Sequence, residues 1–199
     1  MSVRVAVLAS GRGSNLQSII DHFAGLGDAS AAEIVLVASN RAGAPALDRA
    51  RSGGIPAEAF DSSDDGSALF NLLRQHRIDL VVLAGYMKRV PSSVVREYHS
   101  RIVNVHPGLL PEFGGPGMYG AKVHDAVIAA GVSTTGVTVH LVDDEYDHGP
   151  VVAQWRVPVR ESETAEQLAA RVLEVEHLIY PRVVEMIAAL NDRKFFADF

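Results

Sequence analysis

Cysteine is absent from this 199-residue sequence, which excludes disulfide scaffolds, cysteine-ligated zinc or iron–sulfur sites and thiolate catalysis. No apolar run reaches the ~20 residues of a membrane span, and the start, Met1-Ser2-Val3-Arg4, lacks a secretory pattern. Positive charge is in deficit: 18 Lys and Arg against 24 Asp and Glu give a net charge of −6, the wrong sign for a general nucleic-acid or anionic-membrane binder. These absences predict a soluble, cytoplasmic protein without nucleic-acid or membrane partners.

The apolar runs that are present alternate with helical patterns. Continuous runs at 3–9, 34–38 and 80–84 predict strands that helices cover on both faces, as in a parallel sheet. Two β-rich segments near the C-terminal end predict an antiparallel pair, and Thr164 with Gln167 resembles a capping box that opens a long helix bent at Pro181. We therefore expect one α/β domain over residues 1–199. Its doubly wound, mostly parallel sheet has an antiparallel C-terminal extension and a long C-terminal helix.

A glycine loop, Ser10-Gly11-Arg12-Gly13-Ser14-Asn15, follows the first predicted strand. Glycines let the backbone approach a ligand closely, the amides that begin the next helix favour an anion, and Ser14 with Gln17 predicts a capping box. Leu16 stands where a dinucleotide fingerprint needs a small residue, although Arg41 leaves NADP as an alternative. The loop favours a phosphate monoester, and a turn that only closes a βα unit is the other interpretation.

Polar side chains gather where two later strands are predicted to end. Asn104 and His106 lie two residues apart, so they project from one face of a strand and can both donate hydrogen bonds to a developing oxyanion. The alternative is that His106, before Pro107, only caps a loop. In the acidic turn 143–150, Asp147 is the best candidate to point inward, where it would raise the pKa of an imidazole. The histidines lack metal-ligand spacing. Together these residues indicate acyl transfer to an amine that the substrate itself supplies, without a metal.

Four motifs, in the order in which a known family carries them, extend this interpretation. They are Gly11-Arg12-Gly13-Ser14-Asn15-Leu16-Gln17, Leu83-Ala84-Gly85-Tyr86-Met87, Asn104-Val105-His106-Pro107-Gly108-Leu109-Leu110-Pro111 and Asp147-His148-Gly149-Pro150. With them, residues 3 to about 190 resemble the folate-dependent formyltransferases, and the glycine-loop motif narrows the resemblance to those that act on glycinamide ribonucleotide. The resemblance implies a Rossmann-like formyltransferase fold and transfer of a formyl group from 10-formyltetrahydrofolate, as cosubstrate, to the ribonucleotide amine, the third step of de novo purine biosynthesis.

The resemblance also implies residue roles, with ribonucleotide binding in the N-terminal half and folate binding and catalysis in the C-terminal half. Asn104 and His106 would contact the formyl oxygen, and His106 would donate a proton. Asp147 would raise the pKa of His106 and, through water, help to remove the amine proton. The ribonucleotide would bind Gly11, Arg12, Gly13, Ser14, Asn15, Gly85, Pro107 and, through its ribose, Glu176. The folate would bind Met87, Lys88, Arg89, Val90, Asn104, His140, Asp144, Glu145, Tyr146 and Asp147. The expected partners are these two small molecules, and the expected assembly is a monomer or a homodimer.

Some positions depart from the family pattern. Ser63 and Asp64 stand where the family usually has an Arg or Lys, and Arg12 or Lys122 is the proposed substitute. Gly108 replaces a commoner Ser, and the loop 112–120 is richer in glycine.

Two alternative functions also stand. One is a hydrolase that deformylates the same folate, although the deformylases that resemble this family carry an extra N-terminal domain for which 199 residues leave no room. The other is an NADP-binding α/β module without catalysis.

Overall fold

Seven strands form one sheet in the computed structural model, which describes residues 2–63 and 65–190. The strands, in chain order β1 to β7, are Val3–Leu8, Ala32–Ser39, Ala57–Ala59, Leu80–Leu83, Ile102–His106, Thr134–Leu141 and Val151–Pro158. Their spatial order is β3-β2-β1-β4-β5-β6-β7. The first five strands are parallel, while β6 and β7 add an antiparallel extension. The predicted doubly wound, mostly parallel sheet with its antiparallel extension is confirmed.

Within the described ranges, six α-helices, α1 to α6, lie between and after these strands. They are Ser14–Leu26, Pro45–Ser52, Ser67–Gln75, Ser92–Glu97, Ala121–Ala130 and Ala165–Ala189. The capping box of Thr164 and Gln167 is present, so the predicted start of the long C-terminal helix is confirmed, and that helix continues through Pro181. Helix α4 was not predicted, because six residues after a proline are too few to show a helical period.

The sheet is buried on both faces because its strands alternate between two hydrophobic clusters. Val5 and Val7 of β1 pack into the cluster that α1, α2, α5 and α6 cover, whereas Ala6 and Leu8 pack into the cluster under α3 and α4. All four side chains are fully buried. Successive strand residues point to opposite faces, so a continuous apolar run is what a doubly covered strand requires.

Strand β1 lies between β2 and β4, so the chain order reverses at its edge. In open α/β sheets the crevice at such a reversal, beyond the carboxyl ends of the strands, is where ligands bind. The Ser10 amide donates to the Gly85 carbonyl across the reversal at 3.0 Å. On the face that α6 covers, the fully buried Tyr180 hydroxyl lies 2.9 Å from the Leu83 carbonyl and 3.1 Å from that of Val103. These contacts hold the ends of β1, β4 and β5 in register.

The antiparallel partner of β5 brings a further histidine to this edge. In the β5–β6 ladder, Asn104 stands opposite His140 and His106 opposite Thr138.

No helix within residues 2–63 and 65–190 combines the length and apolar character that crossing a membrane requires. The parts of the one-domain prediction that concern Met1, Asp64 and residues 191–199 lie outside the described residues.

Candidate active site

A cavity of about 880 Å³ opens at the carboxyl edge of the sheet, in the crevice described above. Its wall comes from the segments after β1, β4 and β5, from the loop before α5, from the turn after β6 and from α6. The volume lies within the roughly 300–1,000 Å³ that is usual for small-molecule sites.

Asn104 and His106 project from β5 toward this cavity, as the two-residue spacing predicted. The Asn104 Nδ2 donates to His140 Nε2 at 3.1 Å, and His140 in turn donates from Nδ1 to the Leu141 carbonyl at 2.8 Å. These two bonds fix the orientation of the Asn104 amide. Its second N–H is left for a ligand, because Asn104 is only half-buried.

Asp147 completes the group from the turn that follows β6. Its Oδ2 lies 3.5 Å from Nδ1 of His106, and its Oδ1 lies 3.6 Å from Nε2 of His140. The residue has a φ of 56°, a left-handed conformation that aspartate tolerates better than most residues. The structure therefore brings Asn104, His106 and Asp147 together, and His140 contacts both Asn104 and Asp147.

The loop after β5 holds this group through its backbone. The Phe113 carbonyl accepts from His106 Nε2 at 2.6 Å, and the Gly115 amide donates to Asp147 Oδ2 at 3.0 Å. A Cβ on the intervening Gly114 would collide with Leu110 and approach the Asp147 Cβ to 3.1 Å. At Gly114 the glycine-rich departure thus has a physical reason, because a side chain there would keep the backbone from approaching His106 and Asp147 this closely.

The contact with Phe113 determines which ring nitrogen of His106 exchanges a proton. A carbonyl oxygen can only accept, so Nε2 carries the hydrogen in the neutral ring and Nδ1 presents a lone pair. That lone pair faces the Asp147 carboxylate. Protonation of Nδ1 therefore creates an N⁺–H donor directed at an anion, and Nδ1 is the atom at which His106 gains or loses its proton.

The pKa values of the pair show that burial opposes the ionic form. Burial lowers the pKa of His106 more than Asp147 and the Phe113 carbonyl raise it, so the predicted raising effect of Asp147 is present but does not determine the net shift. For Asp147, burial raises the pKa, but His140, His106 and the Gly115 amide together outweigh burial and lower it. His106 therefore rests neutral beside a carboxylate that stays ionised.

The start of α1 differs from the prediction. Gly13 with a φ of 74°, rather than Ser14, is the N-cap, and no side chain caps this helix within the described residues. The predicted capping box of Ser14 and Gln17 is therefore wrong, and Gln17 donates instead to Asp21. A Cβ on Gly13 would lie 2.9 Å from that of Ala46, so close packing on α2 also requires glycine here. The uncapped first-turn amides remain suited to an anion.

Asn15 and Glu176 form a buried polar pair at this end of the cavity. Asn15 donates from Nδ2 to Glu176 Oε2 at 2.5 Å, whereas its own Oδ1 has no partner within the described residues. Burial raises the pKa of Glu176 to about 7, although the Asn15 hydrogen bond acts in the opposite direction. The pair thus presents acceptor oxygens to a ligand that carries hydroxyl groups.

The opposite wall is built from two segments that the resemblance assigned to the folate. The residues after β4, among them Met87, Lys88 and Val90, line the cavity with Glu145 and Tyr146. Arg89 and Asp144 join the two segments. The guanidinium donates to the Asp144 carbonyl and lies 3.9 Å from its carboxylate. Tyr86 also lines the cavity, and burial, followed by the nearby Tyr146, raises its pKa to about 12.

The structure brings most of the predicted site residues to one cavity. Those that line it are Arg12, Asn15, Gly85, Met87, Lys88, Arg89, Val90, Asn104, His106, Pro107, His140, Glu145, Tyr146, Asp147 and Glu176. Gly11, Gly13, Ser14 and Asp144 lie next to lining residues but are not part of the wall. Sequence reasoning missed Phe113, which lies behind His106, and the wall residues Gly115 and His124. Their only signals were a Pro- and Gly-rich loop and an isolated histidine.

The departures from the family pattern can also be placed. Ser63 is exposed and bonded to Asp61, away from the cavity, and Asp64 lies outside the described residues. Of the two proposed substitutes, Arg12 lines the cavity, whereas Lys122 contacts Tyr119 and does not. A Cβ on Gly108 would lie 3.1 Å from His106 Nε2, so glycine leaves that nitrogen to the Phe113 carbonyl.

Among the residues that the structure describes, no three His, Asp or Glu side chains are grouped as ligands of a metal ion would be. That the chemistry needs no metal stays a prediction.

The fold and the site define a class: an α/β domain whose ligand crevice contains an amide, an imidazole and a carboxylate arranged to polarise a carbonyl group. Comparison with known proteins narrows the class. The family model described as formyl transferase matches residues 3–184. The chain therefore belongs to the formyl transferase family.

Individual relatives agree with this assignment. The chain is 42% identical over 190 residues to the chloroplastic phosphoribosylglycinamide formyltransferase of Vigna unguiculata, which covers 92% of the chain but only 60% of that relative. The crystal structure of phosphoribosylglycinamide formyltransferase from Anaplasma phagocytophilum is similar with a TM-score of 0.87 and 40% identity, over 96% of this chain and 88% of that one. A formyltetrahydrofolate deformylase from Pseudomonas syringae is 27% identical with a TM-score of 0.83, over 95% of this chain and 62% of that one.

The raised pKa of Glu176 predicts a pH-dependent stability. A buried carboxyl with a pKa of about 7 favours the folded state fully below its ordinary value of 4.5, and that contribution is lost as the pH rises through 7. The loss amounts to about 3 kcal/mol. Glu176→Gln does not titrate, so we expect its unfolding free energy, relative to wild type, to increase by about this amount from pH 4.5 to 8.

Denaturant unfolding across this pH range measures the effect. Glu174→Gln, at an exposed position on the same helix, is the matched control and should follow the wild-type pH dependence. Equal pH dependence of wild type and Glu176→Gln would contradict the assignment.

Proposed function

We propose that this protein transfers the formyl group of 10-formyltetrahydrofolate to the amine of glycinamide ribonucleotide. One observation carries the proposal: Asn104, His106 and Asp147 converge in a cavity whose two ends suit two different ligands. One end has uncapped helix amides with a pair of acceptor side chains, and the other has a longer wall with apolar and cationic side chains. The resemblance of the chain to phosphoribosylglycinamide formyltransferases supports this choice of substrates.

The ribonucleotide binds at the α1 end of the cavity. Its phosphate accepts hydrogen bonds from the amides that begin the helix at Ser14, and the exposed Arg12 side chain adds a positive charge. Its ribose hydroxyls donate to the oxygens of Asn15 and Glu176, which satisfies the Asn15 Oδ1 that lacks a partner. This orientation directs the amine toward Asn104 and His106.

The folate binds along the opposite wall, between the segment 87–90 and the turn 143–147. Its ring system packs on the apolar groups of Met87, Val90 and Leu83. Its anionic tail leaves the cavity past Lys88 and Arg89, the cations on this wall. The folate supplies a formyl group on a nitrogen that departs when the group is transferred.

The catalytic group then stabilises charge and moves one proton. As the amine nitrogen bonds to the formyl carbon, negative charge grows on the formyl oxygen, which accepts from the free N–H of Asn104 and from protonated Nδ1 of His106. The resting ring is neutral, and the Asp147 carboxylate favours the protonated form of Nδ1 against the effect of burial. The amine loses a proton through water to the Asp147 carboxylate. The folate nitrogen takes the Nδ1 proton of His106 as its bond to the formyl carbon breaks, and the proton on Asp147 then returns to Nδ1, so the protons balance.

A second function is favoured by one comparison, the structural similarity to a formyltetrahydrofolate deformylase. In that reaction water replaces the amine, and no ribonucleotide is needed. The paired Asn15 and Glu176 favour the transferase, because a deformylase has no use for acceptor side chains at the far end of the cavity. An NADP-binding module without catalysis gains no support from the Asn104, His106 and Asp147 cluster.

The cytoplasm stays the predicted compartment, and a monomer or homodimer stays the predicted assembly.

A spectrophotometric transfer assay tests the proposal. Purified protein should convert 10-formyltetrahydrofolate only when glycinamide ribonucleotide is also present, because the amine is the nucleophile. Omission of each substrate in turn is the control. Folate turnover without the ribonucleotide would support the deformylase instead, and saturable NADPH binding without any response to the ribonucleotide would support the non-catalytic module.

The same assay tests the catalytic assignment. His106→Ala and Asp147→Asn should each lower kcat by about 10²–10⁴-fold, as is typical when a positioned acid or base is lost, with ribonucleotide affinity largely kept. His99→Ala, at an exposed histidine outside the cavity, is the control and should retain wild-type turnover. Near-full turnover of either catalytic variant would show that the assignment is wrong.

A further inference from the structure

His124 is a cavity residue that the mechanism above does not use. It lies in the first turn of α5, lines the cavity, and is only 4% exposed. Its Nδ1 is enclosed by protein and has no hydrogen-bond partner within the described residues. A buried polar atom without a partner is unusual in a folded protein and calls for an explanation.

The unpartnered nitrogen indicates how the ring is protonated. Burial, and then the proximity of His106, lower the pKa of His124, so the ring is neutral and carries one N–H. A buried N–H without an acceptor costs more than a buried lone pair on a weakly accepting ring nitrogen. The hydrogen therefore belongs on Nε2, and that N–H is the group His124 can offer to a ligand.

The position of α5 identifies which ligand His124 meets. Helix α5 packs against α6, the helix that carries Glu176, and Val127 of α5 shares a hydrophobic cluster with Leu168 and Val172 of α6. The folate-side residues Tyr86, Val90 and Val142 belong to the other cluster, across the sheet. His124 thus stands on the ribonucleotide side of the cavity.

The distance to the reacting centre is short. A Cβ on Gly108 would lie 3.0 Å from Val123 Cγ1 and 3.1 Å from His106 Nε2, so the first turn of α5 packs directly on the catalytic strand end. In glycinamide, the carbonyl carbon is separated from the attacking amine nitrogen by a single methylene. When the amine reaches the formyl carbon beside His106, this carbonyl must therefore lie within a few bond lengths of the same wall.

We infer that His124 recognises the acyl acceptor by donating a hydrogen bond from Nε2 to its glycinamide carbonyl oxygen, and so positions the amine. The inference rests on the proposed function. It makes His124 a specificity residue for an α-amino amide, distinct from the residues that bind phosphate, ribose and formyl groups. A substrate without this carbonyl lacks the acceptor that this buried donor requires.

Paired variants test the inference. His124→Phe keeps the ring without the donor, and we expect the KM and the calorimetric Kd for glycinamide ribonucleotide to rise roughly 3- to 10-fold, the effect of one neutral hydrogen bond. The folate KM should stay within about twofold, since the two ligands occupy different walls. His124→Gln, whose Nε2 can donate from a similar position, should recover most of the affinity.

Thr135→Val is the matched control, because Thr135 also has a buried polar atom that finds no partner in the described part of the chain, but does not line the cavity. Its KM values should match wild type. A thioamide analogue of the ribonucleotide, in which weakly accepting sulfur replaces the carbonyl oxygen, should discriminate further. Wild type should bind it more weakly than the amide, and His124→Phe should bind both alike. A merely structural role for His124 would not remove this discrimination.

Several outcomes would overturn the inference. Equal changes in both KM values, or an undiminished preference of His124→Phe for the amide, would show that His124 makes no bond to the carbonyl. If His124→Phe does not fold, ¹⁵N NMR of wild type decides: the Nε2 resonance of His124 should shift when the ribonucleotide binds, and no shift would overturn the inference. Wild type without any turnover of glycinamide ribonucleotide would contradict the proposed function itself.

Discussion

The approach of the Asp147 carboxylate to Nδ1 of His106, at 3.5 Å in a buried setting, is the interaction on which the rest of the site depends. Burial by itself drives the imidazole toward its neutral form, and the carboxylate acts in the opposite direction. The two side chains belong to different elements. His106 ends the parallel strand β5, whereas Asp147 lies in the turn after the antiparallel strand β6. Their pairing therefore requires that the sheet extension, the turn and the loop 107–120 be placed together.

Several otherwise unrelated features follow from this requirement. The left-handed backbone of Asp147 directs its carboxylate inward, and Gly114 allows the loop to pass close enough for the Phe113 carbonyl and the Gly115 amide to make their bonds. His140 is held by its own hydrogen bond and in turn orients Asn104. These hydrogen bonds fix the orientation of the Asn104, His106 and Asp147 side chains before a ligand binds. Such preorganisation is the main source of electrostatic catalysis.

Features that depend on local pattern were predictable from the sequence. Doubly buried strands require continuous apolar runs, so the parallel sheet was visible, and the period of two along a strand placed Asn104 and His106 on one face. Features that depend on tertiary packing were not. The bonds from Phe113 and Gly115 come from backbone atoms, which have no sequence signature. The N-cap is Gly13 and not Ser14, and Gly13 packs against Ala46, a contact between distant positions. The raising effect of Asp147 on the pKa of His106 was predictable, but the larger and opposite effect of burial was not, because neighbours far along the chain set that burial.

The most direct test of the account is the pKa of His106 itself, followed by NMR of ¹⁵N-labelled histidine. In wild type it should lie below the ordinary value of about 6.5, because burial outweighs the carboxylate. In Asp147→Asn it should fall further, because the charge that favours the imidazolium is gone while the burial remains. A pKa that stays the same or rises in Asp147→Asn would contradict the account, since it would mean that the Asp147 carboxylate does not favour protonation of His106.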